Sequence, residues 1–96
     1  MEKNHNRRKP TDCVMIASKL QKLLDSGSDL SLNEVISCFE GTKDVFLVKY
    51  DGLRETNRYT VVIIGENNKF DTMRRDFSSL QEGLREVLSK YILVCS

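Results

Sequence analysis

Apolar residues recur at helical spacing along the first third of the chain. Cys13, Ile16, Ala17, Leu20, Leu23 and Leu24 share one face of a helix predicted from about Thr11 or Asp12 to Ser26, with Lys19 and Lys22 outside the stripe. Gly27 is placed to end it in a left-handed cap. Ser31-Leu32-Asn33-Glu34 then reads as a capping box: the hydroxyl takes a free amide, and the glutamate reaches back. Leu30 and Val35 can form a hydrophobic staple across that start, and Leu32, Val35, Ile36 and Phe39 make one apolar face. Gly41 ends this second helix. Only Gly27, Ser28, Asp29 and Leu30 separate the two, so a helical hairpin is expected.

Past Gly41 the spacing changes. Val45-Phe46-Leu47-Val48-Lys49-Tyr50 is dense in strand formers, and Asp51-Gly52 signals a turn. Leu53 to Arg58 is mostly polar and makes a longish hairpin loop. Tyr59-Thr60-Val61-Val62-Ile63-Ile64 is apolar on both faces and reads as a central strand, followed by a turn at Gly65-Glu66-Asn67-Asn68. Residues 69–77 admit two readings. As a strand, Lys69 to Arg75 completes a meander. As a helix, Phe70, Met73, Phe77, Leu80, Leu84, Val87, Tyr91 and Val94 form one long heptad seam. Ser78-Ser79 and Gly83 are poor inside a helix, and Ser79-Leu80-Gln81-Glu82 is a second capping box. Those signals favour a strand and then a helix from about Leu80 to Ile92, with Leu80, Leu84, Val87, Leu88 and Tyr91 facing inward.

The predicted class is therefore α+β, in the order α-α-β-β-β-α. A helical hairpin, a three-stranded antiparallel meander and a C-terminal helix are expected, with the helices on one sheet face and the other face partly uncovered. The alternative is ααββα with one long C-terminal helix. Residues 1–10 carry Lys3, Arg7, Arg8 and Lys9 and close at Pro10. They read as a flexible basic arm, leaving residues 11–96 as a single α+β domain. The later α-β-β-β-α order resembles that of double-stranded RNA-binding domains in topology alone. Where that family grips phosphate with a lysine-rich helix start, this chain has Ser79-Leu80-Gln81-Glu82-Gly83.

Composition narrows the function classes. With 96 residues, two separate cores cannot be built, and 40% hydrophobic with 30% charged residues suits a folded globule. Fifteen lysines and arginines against fourteen acids leave a net charge of +1, so no global field draws the chain to a polyanion. No apolar run exceeds five residues, far short of the about 20 residues of a membrane helix. The N-terminus also lacks the apolar region of a secretory signal, so no membrane association is expected and the cytoplasm is the expected compartment. The three cysteines, Cys13, Cys38 and Cys95, are too few for a disulfide framework, and a zinc site needs about four closely spaced ligands. Cys13 and Cys38 read as small buried hydrophobes. His5 is the single histidine and stands in the arm, away from any base-dependent nucleophile. Carboxylates are scattered among cations, and no glycine-rich phosphate loop occurs. No cofactor, metal or catalytic residue is expected, and the reading is non-enzymatic.

Two functional expectations remain. The first is a small interaction or regulatory module of the adaptor, inhibitor or immunity type. It would bind a protein partner, or itself as a homodimer, through its sheet, with Phe46, Val48, Tyr50, Tyr59, Val61 and Ile63 as the partner-binding set. The second follows from charge. Residues 1–11 carry four basic and one acidic side chain and residues 45–75 six and four, whereas residues 12–44 carry three and six. A nucleic-acid surface would then use Arg7, Arg8 and Lys9 of the arm with Arg54, Arg58, Arg74 and Arg75 of the sheet. The plain reading of those sheet cations is a solvated edge that discourages unwanted pairing.

Overall fold

The computed structural model describes the backbone of residues 5–95 and the side chains of residues 14–95. Helix α1 spans His5–Asp25 and α2 spans Leu32–Phe39. Strands β1 (Val45–Tyr50), β2 (Tyr59–Ile64) and β3 (Met73–Phe77) follow, then α3 (Leu80–Cys95). The sheet is antiparallel in the order β1-β2-β3. This is the strand-then-helix arrangement, not the single long C-terminal helix.

Local chemistry explains the boundaries. Gly27 adopts φ +80°, the left-handed conformation that ends α1. The Ser31 hydroxyl accepts the Glu34 N–H at 3.4 Å, and Leu30 and Val35 are both buried around that cap. The Ser79 hydroxyl likewise accepts the Glu82 N–H at 3.3 Å and starts α3 afresh after β3. One boundary differs from expectation. Because α1 begins at His5, residues 5–10 of the expected arm are helical, and Pro10 falls in the second turn, where its missing N–H forfeits one helical bond. Residues 1–4, and the side chains of Arg7, Arg8, Lys9 and Cys13, lie outside the described residues.

Helix α3 organises the core. It packs along β2 and β3, while α1 packs chiefly on α3 and α2. Leu84, Val87, Leu88 and Tyr91 of α3 are fully buried, together with Leu20 of α1, Val35 of α2 and Val61 and Ile63 of β2. The α1–α2 turn is tied to α3 by polar side chains. Gln81 makes a two-point bond with the Leu30 backbone, accepting its N–H at 2.6 Å and donating to its carbonyl at 2.9 Å. Arg85 donates to the Leu24 and Ser28 carbonyls at 3.2 and 2.5 Å, satisfying acceptors at the end of α1.

A buried carboxylate ties the sheet to α3. The Asp44 side chain is 0% exposed. Its Oδ1 accepts the Glu66 N–H at 2.9 Å and pairs with Lys69 Nζ at 3.0 Å. Its Oδ2 accepts the Tyr91 hydroxyl at 2.7 Å. Burial pushes the carboxyl up, but the Glu66 N–H, the Tyr91 hydroxyl and Lys69 together outweigh it and hold it below its ordinary value. The same burial, with the Asp44 charge, pushes the Tyr91 hydroxyl up, so it stays a donor.

Two outcomes follow for stability. A group with a depressed folded-state pKa stabilises the fold above its unfolded value, near about 4, and that contribution is lost as pH falls through the folded value. Denaturant titration is therefore expected to show Asp44→Asn less stable by about 1–3 kcal/mol at pH 7, with the gap closing below about pH 4. If the gap is independent of pH, the ionised carboxylate is not the stabilising species. At Gly83, an added Cβ would lie 2.9 Å from Phe77 Cγ, so the ring needs a glycine under it. Gly83→Ala is expected to destabilise by about 1–3 kcal/mol despite alanine's higher helix propensity, read as a lowered melting temperature.

Candidate functional site

Side chains alternate along each strand, so the helices divide the sheet into two sets. Phe46, Val48, Val61, Ile63, Met73 and Phe77 belong to the core or pack against it. Their neighbours Val45, Leu47 and Lys49 on β1, Thr60, Val62 and Ile64 on β2, and Arg74 and Asp76 on β3 point to the other face. The register places Val45 opposite Ile64, Leu47 opposite Val62, Thr60 opposite Asp76 and Val62 opposite Arg74.

That open face has two halves. At one end, the β1–β2 loop folds over it. The Thr60 hydroxyl donates to Asp76 at 2.6 Å and Thr60 is 2% exposed. Arg54 reaches from the loop to Asp76 at 3.0 Å and back to Asp51 at 3.4 Å, and Arg74 stands 3.8 Å from Asp76. The Thr60 hydrogen bond, with Arg54 and Arg74, holds the Asp76 carboxyl below its ordinary value. At the other end nothing described covers the apolar side chains. Val45 and Leu47 are 48% and 49% exposed, Ile64 is 36% exposed, and Val62 between them is half-buried.

The expected partner-binding set falls largely on the opposite side. Val61 and Ile63 are 0% exposed beneath α3 and are unreachable by a partner in this fold. Phe46 and Val48 are half-buried against the core, and Phe46 stacks on Phe39 at 5.1 Å. Tyr50 and Tyr59 lie at the loop end with rings 5.1 Å apart, Tyr50 exposed. Among the aliphatic residues of β1 and β2, the accessible ones are the alternate set, Val45, Leu47, Val62 and Ile64. One cross-strand pairing marks that face: Thr60 and Asp76 are the polar pair opposite each other, and Val62 and Ile64 share their side.

The proposed nucleic-acid cations have other partners. Arg54 and Arg74 hold Asp76, and Arg75 pairs with Glu86 at 2.8 Å. Arg58 donates to the Arg54 carbonyl at 2.5 Å and to the Tyr50 hydroxyl at 3.2 Å, bracing the loop. Arg7, Arg8 and Lys9 lie outside the described side chains.

Elsewhere the surface offers shallow grooves. One of about 500 Å³ runs between β3 and α3, with Phe70, Met73, Arg74 and Lys90 in its walls. Another, of about 400 Å³, lies between α1 and α2 beside Cys38. Burial pushes the Cys38 thiol up, with Lys19 lowering it and Glu34 raising it. A raised thiol pKa lowers the fraction present as thiolate, the reactive form. Cys38 is a free, buried thiol, in line with its reading as a small buried hydrophobe, whereas Cys95 is disulfide-bonded. Among the described residues, no group of three His, Cys, Asp or Glu side chains is placed to hold a metal ion. Among them, no helix is long and apolar enough to cross a membrane.

No protein family, curated protein or solved structure matches this chain.

The division of faces predicts contrasting tolerance. Leu47→Lys should change unfolding free energy by less than about 1 kcal/mol, because its head stays in water. Val61→Lys should cost about 3 kcal/mol or more, because it buries an unpaired charge. Chemical denaturation of the two variants checks this; similar losses would mean that Leu47 is a core residue.

Proposed function

We propose that this protein is a small, non-enzymatic interaction module that engages a protein, either another chain or a second copy, through the open half of its sheet. The observation that carries the reading is the half-exposed apolar stripe of Val45, Leu47, Val62 and Ile64. These side chains lie on two paired strands, so they form one continuous surface rather than scattered exposed residues. Burying such a stripe gives an association free energy without a pocket or a reacting group. The polar cluster of Thr60, Asp76 and Arg54 borders it and supplies a hydrophilic rim, the usual surround of an apolar contact patch.

Nucleic-acid binding is the alternative. It draws on the same sheet end, where the arginines are already held by Asp51, Asp76 and Glu86. At Arg54, Arg74 and Arg75 a polyanion would have to compete with those carboxylates, which weakens the phosphate attraction available from the sheet. The apolar stripe therefore has the stronger support.

The reading is tested with a photo-crosslinking amino acid placed in the native host at Leu47 and, as a control, at the exposed α3 residue Ser89. Protein adducts from position 47 that are absent from position 89 are expected. Adducts to nucleic acid from position 47 would favour the alternative, and none from either position would overturn the module reading.

A further inference from the structure

The sheet has two outer strands, and they differ in how they are protected. The Asp51 N–H donates to the Arg58 carbonyl at 2.8 Å. From that bonded pair the register runs without a break from Tyr50 opposite Tyr59 to Val45 opposite Ile64. Bonded and non-bonded pairs alternate along an antiparallel ladder. Lys49, Leu47 and Val45 therefore turn their backbone groups toward β2, and Tyr50, Val48 and Phe46 turn theirs outward. By the same alternation, β3 directs the backbone of Arg74 and Asp76 outward.

Natural sheets blunt an exposed edge with charges, proline or bulges. On β3 the sequence Met73-Arg74-Arg75-Asp76-Phe77 does this. On β1, Lys49 is the single charge, and Val45-Phe46-Leu47-Val48 before it carries no charge, no proline and no bulge. Among the described residues, no strand pairs with its outer side. This less protected edge also borders the apolar stripe.

Resting on the interaction reading, we infer that the partner is a second copy of this chain, paired antiparallel β1 to β1 about a two-fold axis so that two three-stranded sheets join into one. The side chains select a register. With Leu47 facing Leu47 of the other copy, Phe46 faces Val48 on the helix side and Val45 faces the aliphatic stem of Lys49 on the open side. Lys43 then faces the other copy's Asp51, whose carboxylate also holds Arg54 and the Leu53 N–H, and symmetry repeats that contact at the far end. No like charges are opposed. Phe46 and Val48, now half-buried, and Val45 and Leu47, now half-exposed, all lose water together. The contact is isologous and closes at two copies, whereas β1 against β3 would run on into a filament and set apolar residues against Arg74 and Arg75.

Sedimentation velocity of the full chain, from micromolar to near-millimolar concentration, is expected to show a reversible monomer–dimer equilibrium. Val48→Pro removes an outward N–H and leaves the β1–β2 bonds in place, so it should give a folded monomer. Lys43→Glu should raise the dissociation constant by up to about fivefold. As a check that needs no proline, mild oxidation should link Leu47→Cys chains into dimers beyond the wild-type background, and should not link Arg74→Cys chains. A strict monomer throughout the range overturns the inference. If Leu47 still crosslinks a different protein, the module reading survives it; if not, both fail. A dimer linked through Arg74→Cys but not Leu47→Cys places the interface elsewhere and also overturns the inference.

Discussion

The open half of the sheet depends on where the helices pack. Helix α3 packs along β2 and β3, and α1 packs chiefly on α3 and α2. The helices thus use much of their apolar surface on one another. A sheet with helices on one side needs a hydrophilic second face, or it needs a cover. The loop between β1 and β2 provides half of that cover through Arg54 and the Thr60–Asp76 pair. The other half keeps Val45, Leu47 and Ile64 partly in water. The exposed stripe is the consequence of a core that closes on one side only.

Much of the fold was legible because its boundaries are chemical. Ser31 and Ser79 cap the two later helices as their spacing indicates, and Gly27 takes the left-handed conformation that ends α1. Residues 69–77 were ambiguous because Phe70, Met73 and Phe77 fit a helical seam as well as a strand. Gly83 resolves that ambiguity in space: the Phe77 ring occupies the room where a Cβ would be, which fixes β3 against the start of α3. The accessible face was harder to read. Val61 to Ile64 is apolar at consecutive positions, so alternation among them does not say which side meets the helices. The answer lies in a pairing between strands, where Thr60 meets Asp76 and so assigns Val62 and Ile64 to the open side. Sequence order alone does not display cross-strand register.

The arginines show the same limit from the side of charge. Counting residues makes the 45–75 segment basic, yet the count ignores where acids from elsewhere arrive. Asp76 and Glu86 lie beyond that segment, and they hold Arg54, Arg74 and Arg75. Arg58 is spent on the Arg54 carbonyl and the Tyr50 hydroxyl. These side chains shape a loop and close half of a sheet face. A field averaged over a stretch of sequence is therefore a poor guide to the field at a surface, because tertiary pairing crosses the segment boundaries.

The buried carboxylate connects this surface to the core. Asp44 immediately precedes Val45, and its oxygens are held by the Glu66 N–H, Lys69 and the Tyr91 hydroxyl. Those partners belong to the β2–β3 connection and to α3, so the start of β1 is positioned by groups from across the fold. That anchoring bears on the edge. A strand slipped by one residue would move Val45 and Leu47 to the covered side and exchange inward for outward backbone groups. Such a slip would also pull Asp44 away from all three donors and leave a charged group buried without partners, which is strongly unfavourable. The polar contact inside the molecule thus keeps the apolar stripe on its outside and fixes which amides of β1 face outward.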